Sequence, residues 1–302
     1  MTPLQGGWLQ ASLAVERMCE LSGVSRAAYY RHWQTSAPKE EETELRSRIQ
    51  ELALANRFYG HRRITALLRR GGWVVNKKRV LRIMGEDNLL CLRKRKFRPA
   101  TTDSGHALRI WPNLARGLTP TDVNLLWVAD ITYVRLAEAF VYLAVILDTF
   151  SRKVIGWAMA DHLRAELALE ALRMALAGRP LIGGPLIHHS DQGIQYASAD
   201  YIAQLELAGI QPSMSRAGCP YDNAMAESFM KTLKTEEVDA RPYRDLAHAK
   251  AEVGCFIETV YNRQRLHSAL GYRSPEEFET DQKRLWNAIP RPTAQQPPLS
   301  VV

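Results

Sequence analysis

The sequence predicts an α/β protein, a mixed sheet with helices on both faces, preceded by an all-α basic front segment. Three observations carry that expectation. Apolar residues in the first hundred positions recur at helical spacing. From residue 125 the period shifts to three consecutive strand-like runs with tight connections. Beyond them helical stretches alternate with short apolar runs, the pattern of a sheet covered by helices.

The elements follow in order. Residues 15–33 read as two short helices about a turn. Val15, Met18, Cys19 and Leu21 give one apolar face, Gly23 permits the turn, and Ser25 can cap a second helix bearing Arg26, Tyr29, Tyr30 and Arg31. This is the outline of a helix-turn-helix, whose second helix would enter a major groove, although many helical hairpins share it. Residues 43–88 form a second helical unit. There Leu45, Ile49, Leu52 and Leu54 precede Tyr59-Gly60-His61-Arg62-Arg63-Ile64; Leu67, Leu68, a Gly71-Gly72 break and then Val80, Leu81, Ile83 and Met84 follow. Residues 101–122, rich in Pro, Gly and Thr, mark a boundary. Strands are expected at 125–136, 139–147, 153–159, 186–189 and 211–215, and helices at 165–177, 198–207, 222–237 and 245–262. The expected domains are a helix-turn-helix segment (1–38), a basic helical DNA-binding domain (39–100), a linker (101–122), an α/β core with C-terminal helices (123–280) and a disordered tail (281–302).

The net charge of +8 hides an asymmetry. Residues 1–100 carry 20 Lys/Arg against 9 Asp/Glu, and residues 101–302 carry 20 against 23. A basic front half on a nearly neutral back half suggests a DNA-holding arm joined to a catalytic body; a solvated basic surface is the rival. Between His61 and Arg98 stand 13 Lys/Arg and 2 acids, ending in Arg93-Lys94-Arg95-Lys96-Phe97-Arg98. Such density suits phosphate contacts and steeply salt-dependent binding; a nuclear-localisation tract is the rival for the last cluster. The longest apolar runs, such as 141–147, fall far short of the ~20 residues of a membrane helix, and no secretory leader is expected. Cys19, Cys91, Cys219 and Cys255 show no zinc spacing, so free thiols in a reducing compartment are expected.

Three carboxylates stand in settings that bring chemistry to mind. Asp130 lies mid-strand, Asp191 follows an apolar strand, and Glu227 opens a helical stretch, with 35 residues between the last two. Phosphoryl transfer on DNA needs attacking and leaving oxygens in line and their charge neutralised. Two Mg²⁺ ions about 3.5–4 Å apart do both, and carboxylate oxygens suit them. His188 and His189 are expected to pack or touch DNA, since Mg²⁺ prefers oxygen. Asp148 is a rival acid whose place at a hairpin end favours a turn role; Glu138, Asp161 and Glu170 read as surface acids.

The ordered motifs Trp127-Val128-Ala129-Asp130-Ile131-Thr132-Tyr133, His189-Ser190-Asp191-Gln192-Gly193, Ser213-Met214-Ser215-Arg216, Tyr221-Asp222-Asn223-Ala224 with Glu227, and Leu233-Lys234-Thr235-Glu236 resemble one family. So does the terminal run from Tyr261-Asn262 through His267-Ser268-Ala269-Leu270-Gly271-Tyr272 to Ser274-Pro275. The family is that of IS-three insertion-sequence transposases, specifically the catalytic protein of the second reading frame, among the Asp-Asp-Glu transposases and retroviral-type integrases. The resemblance covers about residues 15–280. It implies a ribonuclease-H-like core and catalytic metal held by Asp130, Asp191 and Glu227: two Mg²⁺ ions, with Mn²⁺ substituting. It also implies that Lys234 contacts donor DNA. Spacing supports this independently, because i to i+7 keeps Glu227 and Lys234 on one helix face. Lys231, at i+4, shares that face and could instead pair with Glu227. Residues 213–223 are expected as a mobile loop beside the site, and Tyr221, Asp222 and Asn223 as caps of the next helix.

The DNA-contacting candidates are therefore Lys234, Lys231, Arg26, Arg31, Arg62, Arg63, Lys77, Lys78, Arg93, Lys94, Arg95 and Lys96. The resemblance implies double-stranded DNA as partner, a homo-oligomer on it, and the nucleoid-associated prokaryotic cytoplasm as location. No leucine-zipper run is present, so an upstream-frame partner or fusion is expected; zinc ligands and a GKS/T phosphate loop are likewise missing. A structure-selective nuclease and a non-catalytic regulator using residues 1–100 are the competing readings. Three intact acids argue against the regulator.

Overall fold

The computed structural model describes residues 19–20, 23, 25, 40–89, 108–179, 181, 184–216, 220–239 and 242–288. The chain divides into two units, residues 1–90 and 91–302. The helix-turn-helix expected at 15–33, with Arg26 and Arg31, lies outside the described residues except for Cys19, Glu20, Gly23 and Ser25. Arg93, Lys94, Arg95 and Lys96 lie outside them too.

The first unit holds α1 (Glu40–Ala55), α2 (His61–Arg70) and α3 (Lys77–Glu86). Its core is Leu45 and Ile49 from α1, Ile64 and Leu68 from α2, and Val80, Ile83 and Met84 from α3, each at most 2% exposed. Gly72, at φ +88°, turns the chain after α2. Asn76 then opens α3 by accepting the Lys78 amide at 2.9 Å. Across the bundle, Arg46 pairs with Glu86 and Asp87, and Arg82 with Glu42, tying α1 to α3.

The second unit is built on a five-stranded sheet: β1 (Leu126–Arg135), β2 (Phe140–Asp148), β3 (Val154–Ala160), β4 (Ile187–Ser190) and β5 (Gln211–Met214), in the order β3-β2-β1-β4-β5. The first three strands are antiparallel neighbours; β4 runs parallel to β1, and β5 parallel to β4. Helices α4 (Ala165–Gly178), α5 (Ile194–Ala197) and α6 (Ala199–Leu207) cover one face. The other is covered by α7 (Ala224–Leu233), extended by a wide π-type turn at Lys234–Val238, and by α8 (Leu246–Cys255), extended likewise by Phe256–Gln264. The β2 run is apolar at nearly every position because both faces are covered. Leu143, Val145 and Leu147 pack under α7 and α8, while Ala144 and Ile146 pack under α4.

Every strand and helix expected between residues 125 and 262 is present, with ends within two residues of expectation once the π-type extensions of α7 and α8 are counted. Asp148 takes the turn role, accepting the amides of Asn124, Phe150 and Ser151 at 2.7, 3.1 and 2.9 Å. Two expectations need correction. The tail does not begin at 281: α9 (Pro275–Ala288) is helical through that point. Ser274 and Glu277 open α9 with reciprocal bonds of 2.9 and 3.2 Å, and buried Glu279 pairs with Arg179, so the helix is anchored. Residues 108–122 are not a bare linker either: Trp111 packs on the α4 side, and the Leu114 amide donates to Ser213 Oγ at 2.8 Å.

Gly156 sets how closely α4 lies on β3. An added Cβ would run into the Ala171 carbonyl oxygen and stand 2.9 Å from the Ala175 Cβ. Gly156→Ala is expected to destabilise this unit by about 1–3 kcal/mol through overpacking. A thermal melt followed by circular dichroism checks it; an unchanged midpoint would mean that α4 lifts off the strand without penalty.

Candidate active site

Parallel pairing sets the first two carboxylates. Val128 on β1 is in register with His189 on β4, so Asp130 and Asp191 each lie two residues past a paired position, Asp130 within β1 and Asp191 just beyond the end of β4. Neighbouring strands run about 4.8 Å apart. Asp130 Oδ1 accepts the Ile131 amide at 2.9 Å, and Asp191 Oδ1 accepts the Gly193 amide at 3.0 Å. A side chain at 193 would crowd this turn, since an added Cβ would stand 2.9 Å from Asp191 Oδ1. Burial, and then the charge of Asp191, push the Asp130 carboxyl up to about 7. Glu227 adds to the rise, while the Ile131 amide and the Lys234 charge oppose it. Asp191, Glu227 and Lys234 are thus all felt at Asp130.

Glu227 sits exposed in the first turn of α7. Beyond its apolar packing on the sheet, the start of that helix is tied to β1 by Asn223, whose Nδ2 donates to the Ala129 carbonyl at 2.8 Å, one residue before Asp130. Asn223 and Asp222 were expected to cap the helix. Neither does: Asn223 reaches the strand, and Asp222 accepts the Arg216 amide and Nε, both at 3.1 Å. The segment expected as a loop from 213 starts later, because Ser213 and Met214 complete β5; residues 217–219 lie outside the described residues.

Lys234 begins the wide turn after α7 rather than continuing an α-helix, and its Nζ lies 4.1 Å from the centroid of the Tyr133 ring. Sequence reasoning missed Tyr133. Its only signal was the pairing of an aromatic residue on β1 with a cation after α7, which no spacing rule links. Lys231 is exposed and forms no ion pair with Glu227 among the described residues.

The histidines have structural work. His188 Nε2 and Tyr201 Oη are 3.0 Å apart, and burial pushes the His188 ring down to about 3, so it stays neutral. His189 Nδ1 meets Ser213 Oγ at 2.8 Å, linking β4 to β5. Glu138, Asp161 and Glu170 are exposed, as expected of surface acids. Among the described residues no three His, Cys, Asp or Glu side chains form a ready-made metal cage, and no helix is long and apolar enough to cross a membrane.

In the first unit, α2 opens with His61-Arg62-Arg63 and α3 with Lys77-Lys78-Arg79, and neither first turn holds an acid. A helix N-terminus is already partly positive, so this arrangement disfavours the isolated helices and favours an anionic partner. Arg62, Lys77 and Lys78 are exposed, Arg63 packs over Tyr59 at 5.2 Å, and Arg79 and Arg82 are drawn to Glu42.

Comparison with known proteins agrees with this layout. An HTH-like domain profile matches residues 39–97, and two Integrase core domain profiles match 120–220 and 208–275. The helix-turn-helix likeness therefore falls on the α1–α3 unit. Transposase InsF for insertion sequence IS3A of Escherichia coli (strain K12) is 37% identical over 276 residues, covering 89% of this chain and 95% of that protein. The chain belongs to the IS3 transposase family. A second relative, the insertion element IS600 uncharacterized 31 kDa protein of Shigella sonnei, is 42% identical over 267 residues, 86% of this IS3-family chain and 97% of its own. A simian T-cell lymphotropic virus intasome structure is similar over 83% of the IS3-family chain and 80% of its own, at 20% identity and a TM-score of 0.44.

Proposed function

We propose that this IS3-family chain is a DNA strand transferase that cleaves at insertion-sequence ends and joins them to new DNA, with Asp130, Asp191 and Glu227 as its metal-holding carboxylates. The observation that carries the reading is the register of β1 and β4, which sets Asp130 beside Asp191, with the Glu227 helix tied in by Asn223. The donor set fits a hard divalent cation: all oxygen, with Asp130 pushed up by burial and then by the charge of Asp191 beside it. A ready-made cage is not needed, since Mg²⁺ is commonly held by one or two carboxylates together with substrate phosphates.

Two ions, Mg²⁺ or Mn²⁺, would supply charge neutralisation at the attacking and leaving oxygens. The chain's own groups do the rest. Asp130 is fixed by a central strand, Asp191 by its turn onto Gly193, and Glu227 closes the group from α7. Lys234 would contact a donor phosphate at the edge of this group. A phosphodiester at the element end is hydrolysed to leave a 3′-OH, which then attacks a second phosphodiester. Each step exchanges one P–O bond for another, so neither ATP nor a covalent protein–DNA intermediate is required. Holding two ends together calls for at least a dimer on DNA, and an upstream-frame protein or fusion would take part in recognising the ends.

The test is strand cleavage and joining on labelled DNA carrying the ends that flank the gene, with Mg²⁺ or Mn²⁺ and the fused form included. Joined product that depends on metal is expected. Cleavage that never proceeds to joining in either form would point to a nuclease instead.

The basic helix starts make a separate prediction. Lys77→Gln with Lys78→Gln is expected to weaken binding to all duplexes alike and to flatten the plot of log affinity against log salt by about 2, roughly one per lost phosphate contact. Fluorescence anisotropy across a salt series checks this, and an unchanged slope would remove both lysines from the interface.

A further inference from the structure

We propose that Tyr133 is a positioning residue whose ring holds the Lys234 ammonium at the edge of the carboxylate group. This rests on the reading of Lys234 as a contact to donor DNA.

Lysine is a flexible point charge that loses much rotamer freedom when fixed in one place. A group meant to meet one phosphate needs something to confine it. The fold supplies this where β1 outruns its neighbour. β4 pairs with β1 only from Leu126 to Val128, so among the described residues no strand lies beside β1 on that side between there and the Tyr243 bridge at Leu136. Tyr133 stands on this stretch, half-buried, three residues past Asp130. Phe140 of β2 meets its ring edge-on, with centroids 5.7 Å apart, leaving a ring face to the Lys234 Nζ at 4.1 Å.

The other side of the contact is held as firmly. Tyr243, 1% exposed, bridges to Leu136 at the end of β1 and donates its hydroxyl to Glu237 Oε1 at 3.1 Å. Glu237 lies in the same wide turn as Lys234, so the turn is pinned to the strand that carries Tyr133. Burial and then the Asp239 charge push the Tyr133 hydroxyl up. The ring is therefore a neutral phenol, and what it offers Lys234 is its electron-rich face. From that seat the lysine charge is felt at Asp130. Wide helical turns of this kind often mark functional positions, and here the turn delivers one cation to one ring.

The experiment is a double-mutant cycle read by single-turnover cleavage on element-end DNA. Tyr133→Leu is expected to slow cleavage by about 3- to 30-fold, the range for losing a cation–ring contact, while Tyr133→Phe, which keeps the ring, restores it. Lys234→Ala is expected to slow cleavage at least as much, and adding Tyr133→Leu to it should cost nothing further. Additive losses would overturn the proposal while leaving the role of Lys234 intact; a harmless Lys234→Ala would overturn both. NMR of the ¹³C-dimethylated lysines gives a readout that does not depend on activity. The Lys234 methyl signal should be shifted upfield by the ring in wild type and Tyr133→Phe and not in Tyr133→Leu. An unshifted signal in wild type would overturn the proposal whatever the rates.

Discussion

Asp130→Asn, Asp191→Asn and Glu227→Gln are each expected to lower cleavage and joining by about 10³-fold or more, with affinity for DNA within about threefold of wild type. Each substitution keeps the shape of the side chain and removes one negative charge and one strong ligand. Losing a single preorganised contribution to charge stabilisation commonly costs about 10²–10³-fold, and loss of a metal ligand acts at both transferring oxygens at once. Binding is expected to be spared because the basic helix starts of the other unit include none of the three acids. Single-turnover cleavage and anisotropy on the same DNA separate the two effects. Substantial cleavage by any one variant would remove that acid from the site, and Asp148→Asn provides the contrast. Asp148 is fully buried and bound to the Phe150 and Ser151 amides of its own turn and to the Asn124 amide before β1, so its loss should appear as a lowered melting temperature and not as a rate effect alone.

The α/β core was legible because β-strand and helix periods are distinct here. The β2 run and the alternation in β1 could only be strands, and α4 could only be a helix. Asp130 and Asp191 could be picked out as members of one group because each sits at a strand, but that they lie side by side depends on β4 joining β1 in parallel, a register no spacing gives. The role of Asn223 was misjudged for a related reason. A polar residue before a helix is usually a cap, and only the closeness of β1 turns its amide toward Ala129 instead. The spacing of Glu227 and Lys234 suggested one face of one α-helix. The wide turn alters that geometry, and Lys234 is oriented by Tyr133, a contact between segments a hundred residues apart. The last helix could have been found. Ser274-Pro275-Glu276-Glu277 has a cap, a Pro at the first helical position and a Glu that closes a capping box, and the weakly apolar stretch after it hid the signal.

Asp130→Asn is also expected to stabilise the metal-free protein, and only above mildly acidic pH. The carboxyl is pushed up from 3.8 to about 7 in the folded protein, so the native state binds this proton more tightly than the unfolded chain. Stability then falls as pH rises from about 4 through 7, because the folded state must carry an ionised group it disfavours. Below the unfolded value the acid is neutral in both states and the penalty vanishes. At ~1.4 kcal/mol per unit the full shift would be worth about 4 kcal/mol, and since Asp130 is only half-buried, screening reduces the expectation to about 2. Asparagine keeps the bond from the Ile131 amide and removes the charge. The variant should therefore melt several degrees above wild type at pH 8 and level with it at pH 4. Mg²⁺ should reverse the order at pH 8, since an ion that binds only the folded state raises the wild-type melting point and has lost a ligand in the variant. A site built for stability would show the opposite pattern, with wild type melting higher at pH 8 without metal. The gain on removing Asp130 is what separates a carboxylate held for an ion from one held for the fold.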